Sequence, residues 1–152
     1  MTSRFAMAIH VLGKLAFVHR ERQETLTSED LAKSVQAHPV VVRRLLGSLR
    51  RAGLVETKRG VGGGISLARS PERITLRDVY DAVEQDEEII ARNPKGANPC
   101  SCDIAPLINE YLDEVFGAAE QALKDSLVRV TIADLEREIC DRLERCAKRT
   151  AS

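Results

Sequence analysis

Tryptophan is absent from this chain, and three Phe and two Tyr are its only aromatics. A core must therefore be assembled from Leu, Ile, Val and Ala, which favours helices packed on helices. Long apolar runs are missing too: nothing approaches the roughly 20 residues a membrane span needs, and the N-terminus lacks the layout of a signal peptide. The expected location is the cytoplasm, with no membrane partner. Only four cysteines occur, and a reducing compartment disfavours pairing them as structural disulfides, leaving metal or redox chemistry as their special options. Internal repeats and low-complexity segments are also lacking. What is present, 152 residues with 43% hydrophobic and 30% charged, suits one ordinary folded domain or a small domain with an appended element.

The formal net charge is zero, but it is unevenly laid out. Residues 1–77 carry 14 Lys and Arg against 6 Asp and Glu, whereas residues 78–152 carry 9 against 17. A basic half joined to an acidic half suggests that the first half meets a polyanion and the second does not.

Helical periodicity opens at once, with Phe5, Ile9, Leu12 and Ala16 at three- and four-residue steps. The charged stretch "RERQE" reads as a link. Thr27 with Asp30 forms a capping box that starts a second helix, faced by Leu31, Ala32 and Val35. Pro39 suits the first position of a third helix, because its missing N–H would be unpaired there anyway. In that helix Val42, Leu45, Leu46 and Leu49 share one stripe, Arg43, Arg44, Arg50 and Arg51 fall elsewhere, and Gly53 marks its end. "LVETKR" and "ISLAR" read as short strands around "GVGGG". Thr75 with Asp78 caps a fourth helix. "RNPKGANPCSCD" reads as a loop, a long amphipathic helix follows, and Thr131 with Asp134 caps the last.

Four of the nine glycines lie within Gly60–Gly64. A dinucleotide fingerprint needs Gly at positions one, three and six ahead of a helix. Counting from Gly60, position six is Ile65, and the segment after it alternates like a strand. A Walker-type loop would end in Gly-Lys-Ser/Thr, which is also missing. An ordinary flexible hairpin stays open as a reading. Two short helices joined by a tight turn and followed by a hairpin are, however, the parts of a winged helix-turn-helix, whose second helix enters the major groove of DNA. Arg pairs bidentately with guanine, Val contacts a thymine methyl, and Arg in a narrow minor groove is favoured electrostatically. The candidate contacts to double-stranded DNA are Ser28, His38, Pro39, Val40, Val41, Arg43, Arg44, Lys58, Arg59 and Gly60. The competing reading of Arg43 and Arg44 is a solvated helix face.

Taken together, "SRFAMAIHVLGKLA", "HPVVVRRLLGSLRRAGLV", "RGVGGGISLAR" and "ITLRDVYDAV" resemble the BadM/Rrf family of bacterial winged-helix transcriptional regulators. The resemblance continues into "NPCSCDIAPLI" and the long helix. It implies a cytoplasmic homodimer, most simply a repressor, in which the long helix crosses its twin. By position Arg43 and Arg44 match the family's base-reading pair, and Arg59 matches its wing arginine. Members often carry Glu-Gln or similar at the pair, so Arg-Arg points to a guanine-containing half-site. No enzymatic activity is expected.

Dimerisation also follows from the residues themselves. Ile104, Leu107, Ile108, Tyr111, Leu112, Val115, Phe116 and Leu123 form a stripe too broad for one short helix to bury. Packing on the chain's own winged helix is the alternative, and both can hold. A two-fold dimer would read a pseudo-palindrome. The expected fold is therefore mainly α with a small β-hairpin: a winged helix-turn-helix over residues 1–85, a Pro/Gly/Cys loop over 86–103, and a dimerisation helix with a C-terminal helix over 104–152.

The cysteines carry the last expectations. Iron–sulfur members of the family resembled here have three Cys in the loop before the long helix, whereas this loop has Cys100 and Cys102. A Cys-X-Cys pair lacks the two-residue spacer usual in tetrahedral zinc and iron–sulfur sites. Cys140 and Cys146, six apart, project about 120° from each other on a helix. No cofactor or metal site is expected. An iron–sulfur cluster fits the loop less well than a thiol redox switch at Cys100 and Cys102, and thiols that are incidental, or that tune the pocket of an unknown effector, fit best. His10 reads as a packed or interface histidine, His38 as a cap or phosphate contact, and Cys140 and Cys146 as partly buried helix residues.

Overall fold

A computed structural model describes residues 3–22, 24–84 and 104–150. Helix α1 (Ser3–Arg22) runs three residues into the stretch read above as a link, since Arg20, Glu21 and Arg22 continue its last turns. Arg20 and Glu21 pair within that turn. Helices α2 (Ser28–Val35) and α3 (Pro39–Arg51) follow, then strands β1 (Val55–Lys58) and β2 (Gly64–Leu67), a short 3-10 turn at Pro71–Arg73, and helix α4 (Leu76–Val83). Beyond the undescribed 85–103 come α5 (Ile104–Leu127) and α6 (Ile132–Thr150). The predicted class, mainly helical with one small hairpin, is the observed one.

The aromatic-poor core is aliphatic. Ala8, Val11, Leu12 and Leu15 of α1 pack with Leu31 of α2, with Val42, Leu45 and Leu49 of α3, and with Val79 of α4. Phe5 meets Tyr80 edge to face at a centroid distance of 5.6 Å, the geometry that aromatic quadrupoles favour. Burial raises the Tyr80 phenol above its ordinary pKa. Every part of the winged helix thus shares one apolar centre.

The three capping boxes read from the sequence all form. Thr27, Thr75 and Thr131 each accept from the backbone N–H of an Asp three residues on, and each Asp accepts the Thr backbone N–H in return. Two of these boxes lie side by side: Thr75 and Thr131 pair in an isolated antiparallel bridge. Leu76 N donates to Val130 O at 2.8 Å, and Ile132 N donates to Ile74 O at 2.9 Å. The start of α6 is thereby stitched to the start of α4, Ile132 is fully buried in the core, and α6 runs back along α1.

Candidate nucleic-acid interface

The geometry of α3 follows from its two faces. Val42, Leu45 and Leu49 point into the core and are essentially inaccessible, which sets the rotation of the helix about its axis. That rotation turns Val40, Val41, Arg43 and Arg44 outward, where all four are exposed. The start of α3 is built by local chemistry. Gln36 takes a left-handed conformation (φ 52°) that ends α2, its N–H bonding to Ala32 O and Lys33 O. His38 then caps α3 as anticipated, its Nδ1 accepting from Val40 N at 3.2 Å, with Pro39 at the first helical position. Ser28, half-buried, opens α2 directly after its Thr27 cap.

The hairpin stands next to this helix pair. β1 and β2 are antiparallel, with Val55 opposite Leu67 and Lys58 opposite Gly64. Two glycines have identifiable work at its tip. Gly60 has φ 98°, a left-handed value that favours glycine, and its carbonyl accepts from Gly63 N at 3.0 Å. At Gly63 any Cβ would come 2.4 Å from Lys58 O, so a side chain there would break the turn. The loop thus closes on itself through the Gly63–Gly60 bond. Lys58, Arg59 and Gly60 are exposed, and Val61 projects fully into solvent at the tip.

Three contacts that sequence reasoning missed hold the hairpin in register with the helices. Leu26 and Ile65 exchange backbone hydrogen bonds at 3.3 and 2.8 Å, tying the hairpin to the residues just before α2. Thr25 Oγ1 donates to Gly63 O at 2.9 Å. The Arg69 guanidinium donates to Ala52 O at 2.9 Å and Gly53 O at 3.0 Å, covering carbonyls at the C-terminus of α3, where a cation also complements the helix dipole. The "LAR" ending of β2 was visible in the sequence, but the target of its Arg lies 16 residues away and has no local signature.

Elsewhere, α5 leaves Ile104, Leu107, Ile108, Tyr111 and Val115 exposed along one helix, while Leu112, Phe116 and Leu123 are half-buried. Cys100 and Cys102 lie outside the described residues. Cys140 is half-buried as expected, with its sulfur 2.9 Å from a guanidinium nitrogen of Arg20. Cys146, read as partly buried, is instead exposed, because it lies in the outer half of α6, past the stitched start of that helix. His10 is exposed rather than packed, with Nε2 3.0 Å from Ser34 Oγ on α2. Among the described residues no three His, Cys, Asp or Glu side chains converge into a metal-ligand set. No described helix is long and apolar enough to cross a membrane.

Comparison with known proteins places this architecture. Residues 1–138 match the Rrf2 family, described as iron-dependent transcriptional regulators. YwnA of Bacillus subtilis, named as an HTH-type transcriptional regulator, is 36% identical over 137 residues, covering 89% of this chain and 96% of that protein. The HTH-type transcriptional repressor NsrR of Streptomyces coelicolor is 27% identical over 129 residues, covering 85% of this chain and 82% of the repressor. In three dimensions the chain is similar to CymR, the global cysteine regulator of B. subtilis, with a TM-score of 0.67 over 91% of this chain and 96% of CymR, at 21% identity, a likeness of fold. The alignments with YwnA and NsrR take in both the helix pair with its wing and the long helix beyond it, and the chain belongs to the Rrf2 family of transcriptional regulators of the helix-turn-helix type.

Proposed function

We propose that this regulator acts as a homodimeric, sequence-specific repressor in the cytoplasm, reading a pseudo-palindromic operator with α3 in the major groove and the wing in the minor groove. The observation that carries the reading is the outward set Val40, Val41, Arg43 and Arg44, opposite a face of α3 that is fully buried. Residues fixed in this way meet base edges without a prior rearrangement. Arg43 and Arg44 then select guanine, the two valines contact thymine methyls, and Ser28 and His38 contact phosphates on either side of the turn. Pro39 shapes the approach of the helix. Lys58, Arg59 and Gly60 carry the wing to the backbone and minor groove. Residues 1–85 serve as the DNA-binding unit. The stripe on α5 supplies the dimer contact, with two half-sites about one helical turn, or a multiple of it, apart.

Selection of bound duplexes from a random pool, run under reducing and oxidising conditions, tests the reading. An enriched inverted repeat with guanine in each half-site supports it. A folded dimer that retains no duplex at low salt overturns it.

The family's iron-dependent description motivates a second reading, in which Cys100 and Cys102 sense redox state or hold an iron–sulfur cluster that switches DNA binding. The described residues do not build such a site: Cys140 faces the Arg20 cation and Cys146 stands in solvent. Visible absorption of protein purified without oxygen, lost on changing Cys100 and Cys102 to Ser, is the result that supports this second reading.

A further inference from the structure

The α1–α6 contact encloses a groove that DNA reading and the dimer stripe both leave unused. Its volume is about 450 Å³, and its walls include Ile9 and Phe17 of α1 with Leu135, Ile139 and Leu143 of α6. That size lies within the range of small-molecule sites. Gly13 has no side chain to separate the helices, since a Cβ there would come 2.9 Å from Leu135 Cδ2.

Among the described residues only two polar side chains line the groove, His10 and Lys14, and both are basic. Among the described residues no carboxylate lines it. Among the described residues Lys14 has no ion-pair partner, although it stands at the edge of an apolar surface. An apolar trough with an uncompensated cation at its rim is complementary to one kind of molecule, an apolar tail bearing a single negative charge. We propose that this groove binds a small apolar anion of the medium-chain or aromatic carboxylate class, with the tail between Phe17, Leu135 and Ile139 and the carboxylate on Lys14.

His10 connects the groove to the DNA-reading half. Its Nε2 lies 3.0 Å from Ser34 Oγ on α2, and α2 packs against α3. A carboxylate drawn to His10 competes with that hydrogen bond and biases the seating of α2. This second step rests on the DNA-binding reading, whereas occupancy of the groove does not.

The test therefore separates the two. The full chain, without DNA, is titrated with anilinonaphthalene sulfonate, an apolar anion with a fluorescent readout, and the dye is then displaced by decanoate, decanol or decyltrimethylammonium. The expected result is one saturable dye site per chain, with decanoate displacing best. Lys14→Gln weakens decanoate by about tenfold or more, the scale of one charge-assisted contact, while decanol is unaffected. Ile139→Trp, filling the trough, removes the site. Lys14 is exposed, so its replacement tests the site even where the Trp variant folds poorly. Absence of saturable binding, or equal affinity for decanoate and decanol, overturns the proposal. So does Ile139→Trp altering self-association but not dye binding, which would assign the groove to a second copy of the chain. Operator affinity is measured separately, with and without decanoate. A drop of about 5- to 150-fold is the expected coupling, and operator must weaken decanoate by the same factor. Unchanged operator affinity with intact dye binding overturns the coupling alone.

Discussion

Helices α3 and α5 both present apolar side chains to solvent, and they do so for opposite reasons. On α3, Val40 and Val41 are exposed because Val42, Leu45 and Leu49 on the other side are locked into the core. The helix is fixed by the core of its own chain, and on the proposed reading its outer residues are the ones that meet DNA. On α5, five large apolar residues from Ile104 to Val115 are exposed on a helix from which, among the described residues, only Leu127 at its far end reaches the edge of the core cluster. Its charge differs too, since Glu110, Asp113, Glu114, Glu120 and Asp125 lie along it, an unsuitable setting for a polyanion. The comparison separates a surface oriented by its own core from one whose apolar face its own chain leaves uncovered.

The largest effect is expected from breaking the second kind of surface. Leu107→Glu places a charge in the middle of the α5 stripe, and removing such a contact while burying an unpaired charge weakens self-association on the order of 100-fold. Sedimentation equilibrium should show monomer, and operator binding should fall with it. A dimer of unchanged affinity would assign that stripe another role. Next is the support of the first surface. Leu45→Ala, emptying a position that is 2% exposed, should cost about 2–5 kcal/mol in a denaturant titration without touching any outward residue. Third, Arg44→Ala should leave the denaturation midpoint in place and cost about 1–3 kcal/mol against the preferred operator, with selectivity relaxed at one base pair. An equal loss against unrelated duplexes would make Arg44 a phosphate contact. Fourth, Arg59→Ala on the wing should weaken binding to all sequences alike and lower the salt slope by about 1.

The smallest effect concerns the shared scaffold. Asp30 accepts from Thr27 Oγ1 and from Thr27 N, and these bonds lower its pKa below the ordinary 3.8. Asp134 is lowered in the same way by Thr131. A depressed carboxylate contributes stability above the unfolded value, and that stability is lost as pH falls through the lower folded value. Acid unfolding below about pH 4 should therefore include these caps, and Asp30→Asn should flatten that part of the curve by slightly lowering stability at neutral pH while leaving it unchanged at pH values below the folded value.

Much of the molecule was legible because its signals are local. A Thr followed three residues later by Asp specifies a helix start through bonds that span one turn, and all three boxes formed where read. Pro39 at the head of α3, the stripe that buries α3, and the glycines that turn the wing are likewise decided within a few residues of chain. Their order alone distinguished a wing from a nucleotide loop. Other features depend on residues brought together from far apart. Arg69 on the α3 carbonyls, Thr25 under the wing and the Thr75–Thr131 bridge each join segments 16 to 56 residues apart, with no periodicity to announce them. Exposure of Cys146 and the contact of His10 with Ser34 were set in the same way, by where α6 and α2 came to rest against α1. Hydrogen bonds within one turn and the period of apolar residues are properties of the chain itself, so the sequence by itself determined the elements and their buried faces. Only the tertiary structure decided the angle at which the wing meets the helix pair and the groove between α1 and α6, because both arise from surfaces that exist only after distant segments have packed.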